Sequence, residues 1–188
     1  MILIVHGYDG SGPGHWQRWL AAELARRDVP VAFPELPSPT APDRDAWVSA
    51  LAAEIAAAGG EPVTLVCHSL GCWAADHLVA TYGARGLHGA LLAAPPSPAL
   101  LFEPVESFLP PPRRRDAWAP IAERTLLVGS DDDPYTALDE FEVLAAALGI
   151  PFRQEPGAGH VNVESGHGPW PFVLDWLVEV GAIDRAKR

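Results

Sequence analysis

The chain has 188 residues, 48% of them hydrophobic and 20% charged, with a formal net charge of −11. This is the make-up of a soluble globular domain, long enough to bury roughly 70% of the surface its unfolded chain exposes, and its acidity argues against nucleic acid or an anionic membrane surface as a partner. The apolar start, Met1 to Val5, is interrupted at His6-Gly7, and no run approaches the roughly 20 apolar residues of a membrane span, so neither a cleaved leader nor a membrane anchor is expected.

Ile2 to Val5 reads as a buried strand, and Gly10 to Gly14 as a loop. From His15 to Arg27 the apolar residues Trp16, Trp19, Leu20 and Leu24 share one helix face. Val31 to Phe33 is a short strand, closed by a proline-rich loop through Pro42. Arg44 to Ala58 repeats the helical pattern at Trp47, Val48, Leu51 and Ile55, and Gly59-Gly60 ends it. Pro62 to Cys67 is the third strand and Leu70 to Tyr82 the third helix. Gly89 to Ala93, Thr125 to Gly129 and Pro151 to Gln154 are the remaining strands. A helix with Phe141, Leu144 and Leu148 on one face lies between the last two, and a final helix runs from about Phe172 to Val180.

The strands are apolar throughout rather than alternating, as strands covered on both faces are. Strict strand–helix alternation says the same. The expected fold is α/β: a three-layer α/β/α sandwich with about six mostly parallel strands, in one domain spanning 1–188. The segment from Pro95 to Pro120 breaks the alternation. It holds eight prolines together with Leu100, Leu101, Phe102, Val105, Phe108 and Leu109. A loop of that length in a compact domain is functional or disordered, and this one is too apolar for disorder. With about 30 residues between strands it is too short for a separate cap domain. Its large side chains either pack on the flank of the sheet or roof its carboxyl edge. The basic run Arg113-Arg114-Arg115 reads as a solvated cluster.

The strongest chemical signal is Cys67-His68-Ser69-Leu70-Gly71, which follows a buried strand and opens a helix. That is the setting of a nucleophile elbow, where a sharp turn exposes a serine at the carboxyl edge of the sheet. Gly71 supplies the small residue the turn needs, and Cys67 replaces the usual first glycine. The competing reading is a serine that merely caps the helix. A serine hydroxyl needs a base. Of the seven histidines, His160 sits in a glycine-rich loop after the sixth strand, where a base belongs, whereas His68 should point away from the serine, and His77 and His88 fall in or beside regular elements. The acid should follow the fifth strand, in Ser130-Asp131-Asp132-Asp133-Pro134, and the residues alone leave the three aspartates open. Ser69, this cluster and His160 then occur in the order serine, acid, histidine. The oxyanion donors expected are the backbone N–H groups of Leu70 and, in the loop after the first strand, Tyr8.

Cys67 and Cys72 flank the turn, where a short disulfide would distort the backbone. They read as reduced thiols of a cytoplasmic protein, and their spacing matches no zinc pattern.

Three segments carry a family resemblance. His6-Gly-Tyr-Asp-Gly-Ser-Gly-Pro-Gly-His15-Trp16, the elbow at His68-Ser69-Leu70-Gly71, and Gly159-His160-Val-Asn162-Val-Glu-Ser165-Gly166-His167-Gly168-Pro-Trp170-Pro resemble the motifs of the serine hydrolases related to retinoblastoma-binding protein nine and its bacterial relatives. The Asp-Pro-Tyr segment at Asp133 also fits. The resemblance implies a minimal α/β-hydrolase fold without a large cap, with Ser69 as nucleophile, Asp133 as acid and His160 as base. The reaction expected is cleavage of a small carboxylic ester, thioester or amide through an acyl-serine, with no cofactor and no metal. The family's name raises a rival, a protein-binding module with a little-used triad. No chemical role follows for His15, Trp16 or His167.

Overall fold

The computed structural model describes residues 1–100 and 102–187. Its strands are β1 (Ile2–Val5), β2 (Val31–Ala32), β3 (Val63–His68), β4 (Leu87–Ala93), β5 (Thr125–Gly129) and β6 (Phe152–Gln154). They form one six-stranded sheet in the order β2-β1-β3-β4-β5-β6, and every neighbouring pair is parallel. The helices are α1 (Trp16–Arg26), α2 (Arg44–Ala57), α3 (Leu70–Tyr82), the single turn α4 (Arg115–Trp118), α5 (Leu138–Leu148) and α6 (Pro171–Glu179).

Side chains alternate across a strand, and that alternation divides the core in two. Leu3, Val5, Leu65, Cys67 and Leu92 join Trp47, Leu51, Leu78 and Phe141, so α2, α3 and α5 cover one face. Ile2, Ile4, Val66, Leu91 and Val128 join Trp16, Leu20, Val173 and Leu177, so α1 and α6 cover the other. The expected three-layer sandwich is what forms, with no large cap. β2 is shorter than the expected Val31 to Phe33: only Val31 and Ala32 pair with β1.

Part of the segment after β4 packs on the flank of the sheet, with Val105 and Phe108 in the core. The segment breaks into a 3-10 turn at Glu103–Phe108, α4, and a second 3-10 turn at Ala119–Arg124. Phe108 is fully buried against Trp47, with ring centroids 5.5 Å apart, and its carbonyl accepts from His77 Nε2 at 2.8 Å. Trp118 is also fully buried and donates Nε1–H to Asp76 Oδ1 at 2.8 Å. Asp76 takes the Arg113 N–H on its other oxygen at 2.8 Å. All three hydrogen bonds pin the segment to α3. Leu109 packs at the edge of the same cluster. Phe102 behaves differently: it is 38% exposed and meets Tyr8 edge-on at 4.9 Å. Leu101 lies outside the described residues.

Candidate active site

β3 ends at His68, and Ser69 turns the chain into α3 with φ 51° and ψ −124°. A non-glycine residue with positive φ is strained, and such strain persists only where the surroundings hold it. The turn drives α3 against β1. A Cβ at Gly71 would stand 2.6 Å from the His6 carbonyl oxygen and 2.7 Å from that of Val5, so only glycine fits. Ser69 makes no capping bond to α3, which removes the reading of this serine as a helix cap. Its Oγ faces His160 Nε2 at 2.8 Å instead.

His160 follows β6 in the loop Glu155 to Trp170, and only 5% of it is exposed. Its Nδ1 lies 2.9 Å from Asp133 Oδ2. The Asp133 side chain is fully buried, and its Oδ1 accepts from the Tyr135 N–H at 2.8 Å. A carboxylate can only accept, so the proton sits on Nδ1, and Nε2 is free to accept from the serine hydroxyl. The other two aspartates face elsewhere. Asp132 Oδ1 accepts from Ser130 Oγ at 2.6 Å and the Gly159 N–H at 2.7 Å, and these donors hold its carboxyl below the usual range. Asp131 accepts from the Gly157 N–H at 2.8 Å and Gln154 Nε2 at 2.9 Å. Both shape the loop that carries His160, and neither bonds to its ring.

The loop after β1 supplies the opposite wall. His6 donates Nδ1–H to the Gly7 carbonyl at 2.7 Å and accepts the Leu36 N–H on Nε2 at 2.9 Å, a neutral arrangement that burial reinforces by lowering its pKa. Gln17, fully buried, donates to the carbonyls of Val5 at 2.9 Å and Val66 at 3.1 Å and accepts from Ser11 Oγ at 2.7 Å. These bonds press Gly7 onto the serine: a Cβ there would lie 2.9 Å from Ser69 Cβ. Neither the Tyr8 N–H nor the Leu70 N–H donates to another described residue. Two free N–H groups beside a serine–histidine pair can stabilise a negative oxygen.

Behind His160 the rings continue. His68 lies 5.1 Å from His160, and His15 lies 4.8 Å from His68. Burial pushes His68 well below its ordinary pKa, lowers that of His15 to about 4, and lowers that of His167. All three stay neutral at physiological pH. Sequence reading left these histidines and Trp16 without a role; the visible signal was their place in the three motif segments that carry the family resemblance. Tyr135 was not singled out either, and its ring stands edge-on to His160 at 4.6 Å.

The family model that describes serine hydrolases matches residues 2–179. The chain belongs to the serine hydrolase family. It is 25% identical to the Bacillus subtilis protein YdeN over 181 residues, covering 94% of this chain and 93% of YdeN. The structure of the YdeN gene product superposes with a TM-score of 0.82 at 22% identity, covering 97% of this chain and 98% of that one. A YdeN-like hydrolase from Pectobacterium atrosepticum gives a TM-score of 0.75 at 27% identity, covering 97% and 90%. Est1E from Butyrivibrio proteoclasticus shares the fold, with a TM-score of 0.71 at 13% identity over 97% and 88% of the two chains. Among the described residues, no helix is long and apolar enough to cross a membrane.

Proposed function

We propose that this serine hydrolase cleaves small carboxylic esters through an acyl-serine, with Ser69, His160 and Asp133 as its triad. The observation that carries the reading is the unbroken series from Ser69 Oγ to His160 Nε2 at 2.8 Å and from His160 Nδ1 to Asp133 at 2.9 Å. His160 Nε2 takes the serine proton as Oγ attacks the ester carbonyl carbon. The carbonyl oxygen becomes an oxyanion between the N–H groups of Tyr8 and Leu70. Asp133 holds the imidazole in the reactive tautomer and stabilises its cation. His160 then returns the proton to the departing alcohol, leaving Ser69 acylated. Water repeats the sequence, giving its proton to His160, and releases the acid and the free serine.

No step in this sequence needs a metal or an organic cofactor. A small-molecule ester is the partner the acidic chain and the compact site favour. The buried free thiols of Cys67 and Cys72 fit a reducing, cytoplasmic setting.

The test is covalent labelling. A fluorophosphonate should modify one residue, Ser69, and Ser69→Ala should abolish both labelling and p-nitrophenyl acetate hydrolysis. Labelling that survives in the alanine variant would place the nucleophile elsewhere and refute the reading, and a wild type that never labels would favour the protein-binding rival.

A further inference from the structure

The main chain of the histidine loop is held by side chains of the loop itself and from distant parts of the sequence. The His160 N–H donates to Ser165 Oγ at 2.9 Å, and that hydroxyl donates onward to Asn162 Oδ1 at 2.7 Å. The His160 carbonyl lies 2.9 Å from His68 Nε2. A carbonyl can only accept, so His68 Nε2 carries the proton and donates it. One residue on, the Val161 carbonyl accepts from Trp16 Nε1 at 2.9 Å. Val161 is fully buried and has φ 52°, a conformation that a β-branched residue keeps only under outside constraint.

His68 could be no more than a buried histidine with its hydrogen bond satisfied. Its position in the chain argues for more. It immediately precedes Ser69, and its partner is the carbonyl of the residue whose ring faces Ser69 Oγ. A closed circuit results: Ser69 Oγ to His160 Nε2, through the His160 main chain to its carbonyl, across to His68 Nε2, and back along one peptide to Ser69. The circuit joins the main chain that carries the imidazole to the strand end that carries the serine.

We infer that His68 is a positioning residue for the hydrolysis, its Nε2–H tying the main chain of His160 to the elbow, with Trp16 securing the same loop at Val161. The inference rests on the proposed roles of Ser69 and His160. It assigns a task to two motif residues that the chemistry itself leaves unused.

His68→Met removes the donor while keeping apolar bulk. His68→Gln keeps an amide N–H at a similar reach. For p-nitrophenyl acetate, kcat of H68M should fall about 100-fold, the loss that a misplacement of about 1 Å can produce, while KM stays within about threefold. H68Q should recover to within about fivefold of wild type, and fluorophosphonate inactivation rates should follow kcat in both variants. A merely structural histidine would lower the melting temperature and leave kcat of the folded fraction intact. A folded H68M with kcat within about threefold of wild type overturns the proposal, and so does an H68Q that falls as far as H68M. If H68M does not fold, Trp16→Phe carries the test, since it keeps a ring and loses the bond to Val161: a fall in kcat of about tenfold supports the clamp, and an unchanged kcat overturns it. Ser69→Ala separates the two readings. If it still labels, the triad assignment fails whatever the His68 variants do; if it does not, inactive or active His68 variants bear on positioning alone.

Discussion

Replacing His15 with asparagine isolates the contribution of one buried imidazole to acid stability. His15 is 5% exposed, and its Nδ1 caps α1 by accepting the Gln17 N–H at 3.2 Å. Burial, followed by the nearby His167 and His160, lowers its pKa from 6.5 to about 4. In the unfolded chain it titrates near 6.5. Between these values the unfolded chain holds more protons than the native one, so stability rises with pH and is lost as pH falls from 6.5 toward 4. The full gap of about 2.5 pH units corresponds to about 3.4 kcal/mol, of which about 2 kcal/mol is already lost at pH 5 and almost nothing at pH 8. Asparagine keeps a short side-chain acceptor for the cap and cannot titrate. His15→Asn gives up ring packing at every pH, which is a constant offset. Urea unfolding at pH 8 and pH 5 should therefore show wild type losing about 2 kcal/mol more than the variant over that interval. Equal declines would refute the reasoning, as would a wild type that gains stability on acidification.

Asp133→Asn should lower kcat by about 10⁴, as a triad left with the wrong tautomer does, while Asp131→Asn and Asp132→Asn, which alter only the loop, should each stay within about tenfold. Full loss at Asp132 with an active Asp133→Asn would show that the acid is misassigned. Phe108→Ala should cost about 3–5 kcal/mol in urea unfolding and leave the acyl-chain profile alone, because its ring is sealed against Trp47. Phe102→Ala should change stability by less than about 0.5 kcal/mol but flatten the preference for short chains expected across p-nitrophenyl esters from acetate to palmitate. An unchanged profile would remove Phe102 from the substrate's path.

The sheet was legible because its chemistry is one-dimensional. A parallel strand covered on both faces must be apolar along its length, and β1, β3 and β5 announce themselves in that way. β2 was read one residue too long because an edge strand needs no fixed length to keep its partner covered. The candidate site was legible through order alone: serine, acid and histidine each follow a different strand. The residues left open the choice among three aspartates, because it depends on which carboxylate the Tyr135 N–H turns toward His160. The segment from Pro95 to Pro120 resisted reading for another reason. Short turns have no period, so nothing in the sequence separates Phe108, which goes inward, from Phe102, which meets Tyr8. His68 and Trp16 were opaque because their partners stand 92 and 145 residues away, a separation no local pattern encodes.

The two ends of the sheet carry a consequence for how the molecule lives among its own copies. An unpaired strand edge is a template on which another chain can grow. Here the outermost strands offer two residues on one side, Val31–Ala32, and three on the other, Phe152–Gln154. The longer of them is marked by charge: Arg153 pairs with Glu155 at 3.2 Å and lies over the Phe172 ring at 4.2 Å. Between them, β1 and β3 to β5 have neighbours on both sides. Edges this short leave little free ladder on which another chain could grow, although the strands between them are apolar.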